Sequence, residues 1–166
     1  MHIDFGWGYD GARWSHDDSL RRYTAGPTGL TSLLATRLGL TAPDVSQVQR
    51  IAVYRRVLAK HMAEAADAPQ RPWFAESFAK DPWATARQVL AWRDELIGAG
   101  WSADEHPDTS MPPRLRTLAQ IETALAQEPL WSAGGADVLR DVTAELRWLV
   151  SAQLSFELGI KTISIE

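Results

Sequence analysis

The chain has 166 residues, enough for one full-sized domain, and its 45% hydrophobic and 23% charged residues are ordinary for a globular fold. It contains no cysteine, which excludes disulfides, thiolate nucleophiles and cysteine-ligated zinc, and we expect a cytoplasmic protein. The net charge is −4: residues 1–62 carry eight Arg and Lys against five Asp, and the remainder carries nine against sixteen acidic residues. A strongly basic nucleic-acid-binding domain is therefore not indicated. No apolar run approaches the length of a membrane span, so no membrane partner is expected.

The first 40 residues predict a strand–loop–helix unit. His2–Phe5 is a short strand-like segment that glycines interrupt, and Tyr23–Ala25 predicts a second short strand. Gly26–Gly29 forms a turn, and Leu30–Leu38 reads as a short helix with Gly39 where a helix-ending glycine would lie.

Residues 41–158 predict a helical block. Asp44 or Ser46 can cap its first helix, and Asp81-Pro82 predicts the start of a helix that ends near Ala99. The first of these helices shows an approximate apolar stripe: Val48, Ile51, Ala52, Leu58 and Met62. Later apolar patterns predict helices over 115–125 and about 137–158.

Residues 159–166 alternate between polar and apolar side chains, which predicts a strand that returns to the sheet. This strand either pairs with the N-terminal strand or belongs to a longer sheet. The predicted fold class is α/β and predominantly helical, with short terminal strands of a partial, parallel sheet around the helical block. We predict one domain over residues 1–166.

The segment TAGPTGLTSLL, residues 24–34, has the layout of a phosphate-binding loop between a strand and a helix. An active loop of the G-x-x-x-x-G-K-[ST] type needs lysine to neutralise phosphate charge. With Gly26, Thr28 and Gly29 as the loop, Leu30 stands in the lysine position and Thr31 in the hydroxyl position. The loop is therefore degenerate, ATP is not expected as a cofactor, and a helix-capping turn is the favoured reading.

The first lysine in the chain is Lys60, so any cation near this loop must be an arginine. Arg21 and Arg22 precede the loop and are candidate contacts for DNA or phosphate. Neither reproduces a lysine point charge held beneath the loop.

A metal-dependent hydrolase is a weaker alternative. His2, Asp4 and the run His16-Asp17-Asp18 are residue types that bind divalent metals. Because the run reads as a loop, solvated polar surface is favoured, and we predict neither a metal site nor a catalytic residue.

The eight tryptophans are interpreted mainly as packing residues. Trp83 and Trp148 lie on or beside apolar helix faces. Trp7 and Trp14 lie in the glycine-rich N-terminal segment and are the better candidates for exposure on a stacking surface.

Three stretches together resemble a known family: IDFGWGYDG, AGPTGLTSLLATRLGL and, most specifically, Trp73–Trp101 with the sequence WFAESFAKDPWATARQVLAWRDELIGAGW. They resemble the N-terminal region of actinobacterial PD-(D/E)XK nuclease family proteins, of the AddB or RecC type of helicase–nuclease subunit. The resemblance implies a helicase-like N-terminal portion of a longer protein with roles in DNA repair and recombination. It also implies that Leu30 departs from the lysine of active relatives, as in subunits without motor activity.

Two functions follow as expectations. The first is a non-catalytic helicase-like domain of a DNA double-strand-break-processing nuclease, acting as a scaffold or DNA-handling module. Its partners are then the remainder of the nuclease protein or a helicase, and DNA. The alternative is a helical protein-interaction module without a nucleic-acid role, which the acidic balance after residue 62 favours.

Overall fold

The computed structural model describes residues 1–10, 22–40, 46–66, 71–103, 111–151 and 162–165. The chain divides into two compact units: Met1–Ala42 together with Asp137–Glu166, and Pro43–Ala136. We call them the sheet unit and the helical unit. The prediction of one domain over residues 1–166 stays a prediction.

The described elements are three strands and six helices. The strands are β1 (His2–Phe5), β2 (Arg22–Ala25) and β3 (Thr162–Ile165). The helices are α1 (Pro27–Leu38), α2 (Gln47–Glu64), α3 (Ala75–Lys80), α4 (Pro82–Gly98), α5 (Pro113–Leu125) and α6 (Gly135–Ser151). The mostly helical α/β class is confirmed.

The sheet unit is built on a small parallel sheet with strand order β2-β1-β3. In its register, Ile3 is opposite Tyr23 on one side and Ile163 on the other. Ile3 is fully buried, as expected for a central strand of a parallel sheet. The returning strand thus pairs with the N-terminal strand.

Helix α1 follows β2 directly and begins three residues before the predicted Leu30. Pro27 is its first residue, where the missing N–H costs no hydrogen bond. The helix ends at Gly39, whose φ of 73° lies in the left-handed region that favours glycine.

The helical unit packs α2, α4 and α5 around one core. Tyr54, Leu58, Leu90 and Ile121 are fully buried in it, and Phe74 at the start of α3 joins them. Helix α3, which has only six residues, was not expected from the sequence. Phe74, the residue before it, is 1% exposed, and its ring lies 6.3 Å from that of Phe78 in α3.

Two helix starts in this unit follow the predicted capping chemistry. Ser46 accepts from the Gln49 N–H and completes a capping box. Asp81 accepts from the N–H groups of Trp83 and Ala84 at 3.0 and 2.9 Å. Both caps satisfy N–H groups that a helix leaves without intrahelical partners.

The predicted inward stripe of α2 is wrong at one position. Val48 is 63% exposed, whereas Ile51 and Leu58 are buried as predicted and Tyr54 and Val57 join them. The first turn of α2 is covered by α4, since Arg50 is buried there and donates to Asp94 at 3.1 Å. Val48 is therefore exposed because it lies on a different side of the helix from Arg50. No helix in the described ranges is both long and apolar enough to cross a bilayer.

Candidate functional site

The candidate site lies at the carboxyl ends of β1 and β2, where β2 leads through Gly26 into α1. The Gly6 N–H donates to the Ala25 carbonyl at 3.2 Å, which extends the β1–β2 pairing to this edge. Ligands of open parallel sheets bind at the carboxyl ends of the strands, and a helix N-terminus there favours an anion. The layout of a phosphate-binding loop is thus present in the fold.

The anion at this helix N-terminus is supplied by the chain itself. Asp10, which follows β1, accepts hydrogen bonds from the backbone N–H groups of Thr28 at 2.6 Å and Gly29 at 3.0 Å. These are the second and third residues of α1, the positions that a helix-capping side chain normally satisfies. Gly26 has no side chain with which to do so, and Asp10 takes over that role. We call this arrangement the Asp10 cap.

The close approach of Asp10 explains the glycine at position 26. A Cβ placed on Gly26 would lie 2.5 Å from both the carboxyl carbon and the backbone nitrogen of Asp10. Gly26 is thus required by a neighbour distant in sequence, in addition to its place in the turn.

Hydrogen bonding holds the pKa of the Asp10 carboxyl below its ordinary value. The backbone N–H of Thr28 has the largest effect, and Gly29, the Thr28 side chain and Gly26 lower the pKa further. These donors favour the charged form, so Asp10 is a carboxylate at neutral pH.

The two candidate arginines are only partly described. Arg21 lies outside the described residues. Arg22 begins β2 and forms an ion pair with Asp4 of β1, its Nη2 lying 3.4 Å from Oδ1 of the carboxylate. The hydrogen bond from Arg22 lowers the pKa of Asp4. Arg22 thus ties β2 to β1, and its side chain remains 64% exposed.

The other loop positions have local roles. The Thr31 hydroxyl donates to the Pro27 carbonyl at 2.8 Å, within the first turns of α1. Leu30, in the lysine position, is a half-buried residue of α1 whose N–H makes the first intrahelical bond to Gly26 at 2.9 Å. All four predicted loop residues, Gly26, Thr28, Gly29 and Thr31, therefore lie in or at the start of the first turns of α1.

Sequence reasoning missed Asp10, although it is the residue that defines the site. Its contacts span 18 and 19 residues, and no local spacing relates it to the loop. The available signal was an acidic residue after the first strand, which the carboxyl-end rule for parallel sheets brings near the second.

Only some of the residues considered as metal ligands lie in the described part of the chain. His2 and Asp4 lie on β1, whereas His16, Asp17 and Asp18 fall outside the described residues. Among the side chains that the structure places, no group of three or more His, Asp or Glu is arranged to hold a metal ion.

The tryptophan predictions have mixed outcomes. Trp7 is 77% exposed, as predicted, and Trp14 lies outside the described residues. Trp83 is half-buried, but Trp148 is 54% exposed, so its assignment to packing is wrong.

Comparison with protein-family models, with curated proteins and with solved structures finds no match for this chain.

Substitution of Gly26 by alanine is expected to destabilise the sheet unit by about 1–3 kcal/mol, the usual cost of overpacking, because the new methyl group collides with Asp10. Gly98→Ala is the control, since a Cβ at Gly98 has no neighbour within 4 Å. Urea unfolding followed by circular dichroism measures both variants. An unchanged Gly26→Ala protein would contradict the close approach.

Asp10→Asn is expected to lower stability at neutral pH and to weaken the loss of stability in acid. Because the folded-state pKa of Asp10 is below its ordinary 3.8, the carboxylate stabilises the fold above that value, and this contribution is lost as the pH falls through the folded-state pKa. Amide hydrogen exchange at Thr28 and Gly29 and thermal melts from pH 7 to about pH 2.5 test this. Glu95→Gln, which alters an exposed carboxylate of α4, is the control. Equal acid sensitivity of wild type and Asp10→Asn would contradict the prediction.

Proposed function

We propose that this chain is a non-catalytic, helicase-like N-terminal domain of a DNA double-strand-break-processing nuclease, acting as a scaffold or DNA-handling module. One observation carries the non-catalytic part: the loop has the strand–turn–helix layout of a phosphate site, but the Asp10 carboxylate takes the N–H groups that phosphate would need. The DNA-processing part rests on the resemblance of Trp73–Trp101 and the two N-terminal stretches to PD-(D/E)XK nuclease family proteins.

Electrostatics supports a loop without nucleotide turnover. A nucleotide phosphate and Asp10 are both anions and require the same two N–H donors. Leu30 supplies no charge to offset their repulsion. Binding of ATP would therefore have to displace the Asp10 cap without the lysine that normally stabilises the phosphate.

DNA contact by this chain is supported by two neighbouring arginines, Arg21 and Arg22. The side chain of Arg22, the first residue of β2, is 64% exposed, and Arg21 precedes it in the sequence. Exposed arginines position a phosphate backbone without reading base sequence, which suits a handling or scaffolding role. Because Asp4 shares the charge of Arg22, we expect weak binding by this unit alone.

Two titrations test the proposal. Fluorescent ATP and ATP-turnover assays on the wild-type protein are expected to show neither tight binding nor hydrolysis. Labelled single-stranded and forked DNA is expected to bind with an affinity that falls with salt, and the Arg21→Ala/Arg22→Ala protein is expected to bind more weakly. Arg71→Ala/Arg140→Ala, which removes two exposed arginines elsewhere in the chain, is the charge-matched control.

The two parts of the proposal fail separately. ATP turnover that is lost on Gly29→Ala would overturn the non-catalytic loop. DNA binding that is absent at low salt, or unchanged in the double arginine variant, would overturn DNA handling by this chain.

The second candidate is a helical protein-interaction module without a nucleic-acid role. It is favoured by two aliphatic side chains of the helical unit, Val48 and Leu130, which are 63% and 62% exposed. Contiguous exposed apolar patches mark protein-interaction sites. Leu130 lines a groove together with Ala52, which is one helical turn from Val48. Absence of DNA binding at low salt, together with binding of a protein partner, would favour this candidate.

A further inference from the structure

A groove in the helical unit lies outside the loop discussed above. It runs between the outer face of α2 and the segment that follows α5, and its volume is about 620 Å³. Its floor is aliphatic, formed by Ala52, Val53, Pro129 and Leu130. We call it the α2 groove.

The α2 groove carries positive charge on its α2 side. Arg55 and Arg56 both line it, and no carboxylate is among its lining residues in the described part of the chain. Arg56 is half exposed, but Glu128 pairs with it at 3.2 Å and offsets part of its charge, so Arg55 is the principal cation of the groove. The Arg55 guanidinium lies 5.8 Å from the centre of the Trp83 ring, which holds it without neutralising its charge.

Exposed aliphatic side chains lie on both sides of the groove floor, one on α2 and one in the segment after α5. Leu130 presents most of its side chain to solvent, and Val48 lies one helical turn before Ala52 on the same face of α2. Among the described residues, Val48 and Leu130 are the most exposed of the large aliphatic side chains. An apolar strip bordered by two guanidinium groups therefore faces the solvent.

We propose that the α2 groove binds an acidic peptide segment of a partner protein, one with aliphatic side chains next to Asp or Glu. The aliphatic side chains of the segment cover Leu130 and the groove floor, and its carboxylates pair with Arg55 and Arg56. Gln49 and Ser132, which also line the groove, offer neutral hydrogen-bonding groups to the peptide backbone. This inference does not depend on the DNA-handling proposal, and it specifies the partner of the protein-interaction candidate.

Charge and shape favour a peptide over nucleic acid here. Single-stranded nucleic acid binds where bases stack on aromatic rings along a basic path, and none of the described residues that line this groove is aromatic. An aliphatic floor offers nothing to a base edge, but it suits leucine or valine side chains. The guanidinium groups then select acidic over basic segments.

The probe is a short synthetic peptide of alternating glutamate and leucine, added to the ¹⁵N-labelled full chain. Backbone amide shifts at Arg55, Arg56 and Leu130 are expected to change in a saturable way. Arg55→Gln and Leu130→Ser are each expected to weaken binding about tenfold. Arg71→Gln and Leu139→Ser are the matched controls, which alter an exposed arginine and an exposed leucine that do not line the groove.

Three outcomes would overturn the proposal. The first is the absence of shift changes at these residues up to millimolar peptide. The second is equal binding of a peptide with lysine in place of glutamate, because selection would then not depend on charge. The third is oligothymidylate causing the same shifts as the acidic peptide, because the groove would then be a nucleic-acid surface. Thermal melts of each variant show whether a loss of binding reflects a loss of fold.

Discussion

Replacement of Arg93 by leucine is expected to destabilise the helical unit by about 3–5 kcal/mol, the usual effect of breaking a buried ion pair. Arg93 is only 1% exposed, and its Nε and Nη2 donate to the two carboxylate oxygens of Glu122 at 2.7 and 2.8 Å. Its Nη1 donates to Asp94 at 2.8 Å. Truncation leaves the largely buried Glu122 carboxylate without the cation that compensates its desolvation.

A double variant distinguishes the net contribution of the Arg93–Glu122 ion pair to stability from the destabilisation caused by leaving one charge unpaired. Arg93→Leu/Glu122→Leu removes both charges, so we expect it to recover much of the stability lost in Arg93→Leu alone. Arg93→Lys keeps a charge but loses the two-pronged contact, and an intermediate loss is expected. Urea unfolding at neutral pH measures all three. Equal destabilisation in the single and double leucine variants would show that shape, not the unpaired charge, dominates.

Leu90→Ala is expected to cost about 3 kcal/mol, because Leu90 is fully buried in the core of the helical unit. Leu130→Ala makes the same chemical change at a side chain that is 62% exposed, and we expect it to change stability by less than about 0.5 kcal/mol. The difference arises from the cavity and the lost apolar burial, which only Leu90 provides. Denaturant midpoints of the two variants give the comparison directly.

The Leu90 and Leu130 pair also tests the placement of the α2 groove. A large loss of stability in Leu130→Ala would mean that this side chain is packed in solution and does not belong to an exposed strip. Near-equal effects of the two substitutions would contradict the assignment of the core to α2, α4 and α5.

Local sequence was sufficient for the elements whose signals are local. The Asp81-Pro82 start of α4 and the Ser46 cap of α2 depend on bonds within three residues, and both are confirmed. The alternating C-terminal pattern predicted a strand, and β3 pairs with β1. Helix α3 was missed because six residues carry too little periodicity.

Contacts between residues distant in sequence could not be predicted from local patterns. The exposure of Val48 and the burial of Arg50 depend on which side of α2 packs against α4, which no pattern within α2 encodes. The ion pair of Arg93 with Glu122 joins α4 to α5 across 29 residues, and an arginine in an amphipathic helix is ordinarily expected on the solvent face.

In the loop at residues 24–34, too, one feature follows from the local sequence and another depends on contacts distant in sequence. Its sequence alone determined that the lysine of an active phosphate loop is absent, because Leu30 stands in that position and the first lysine is Lys60. Only the tertiary structure decided that Asp10 occupies the N–H groups of Thr28 and Gly29. The physical reason is that parallel pairing of β1 and β2 brings their carboxyl ends together, so that residues 18 apart meet at one helix terminus. The composition thus determines which charges the site lacks, and the fold determines which charge fills it.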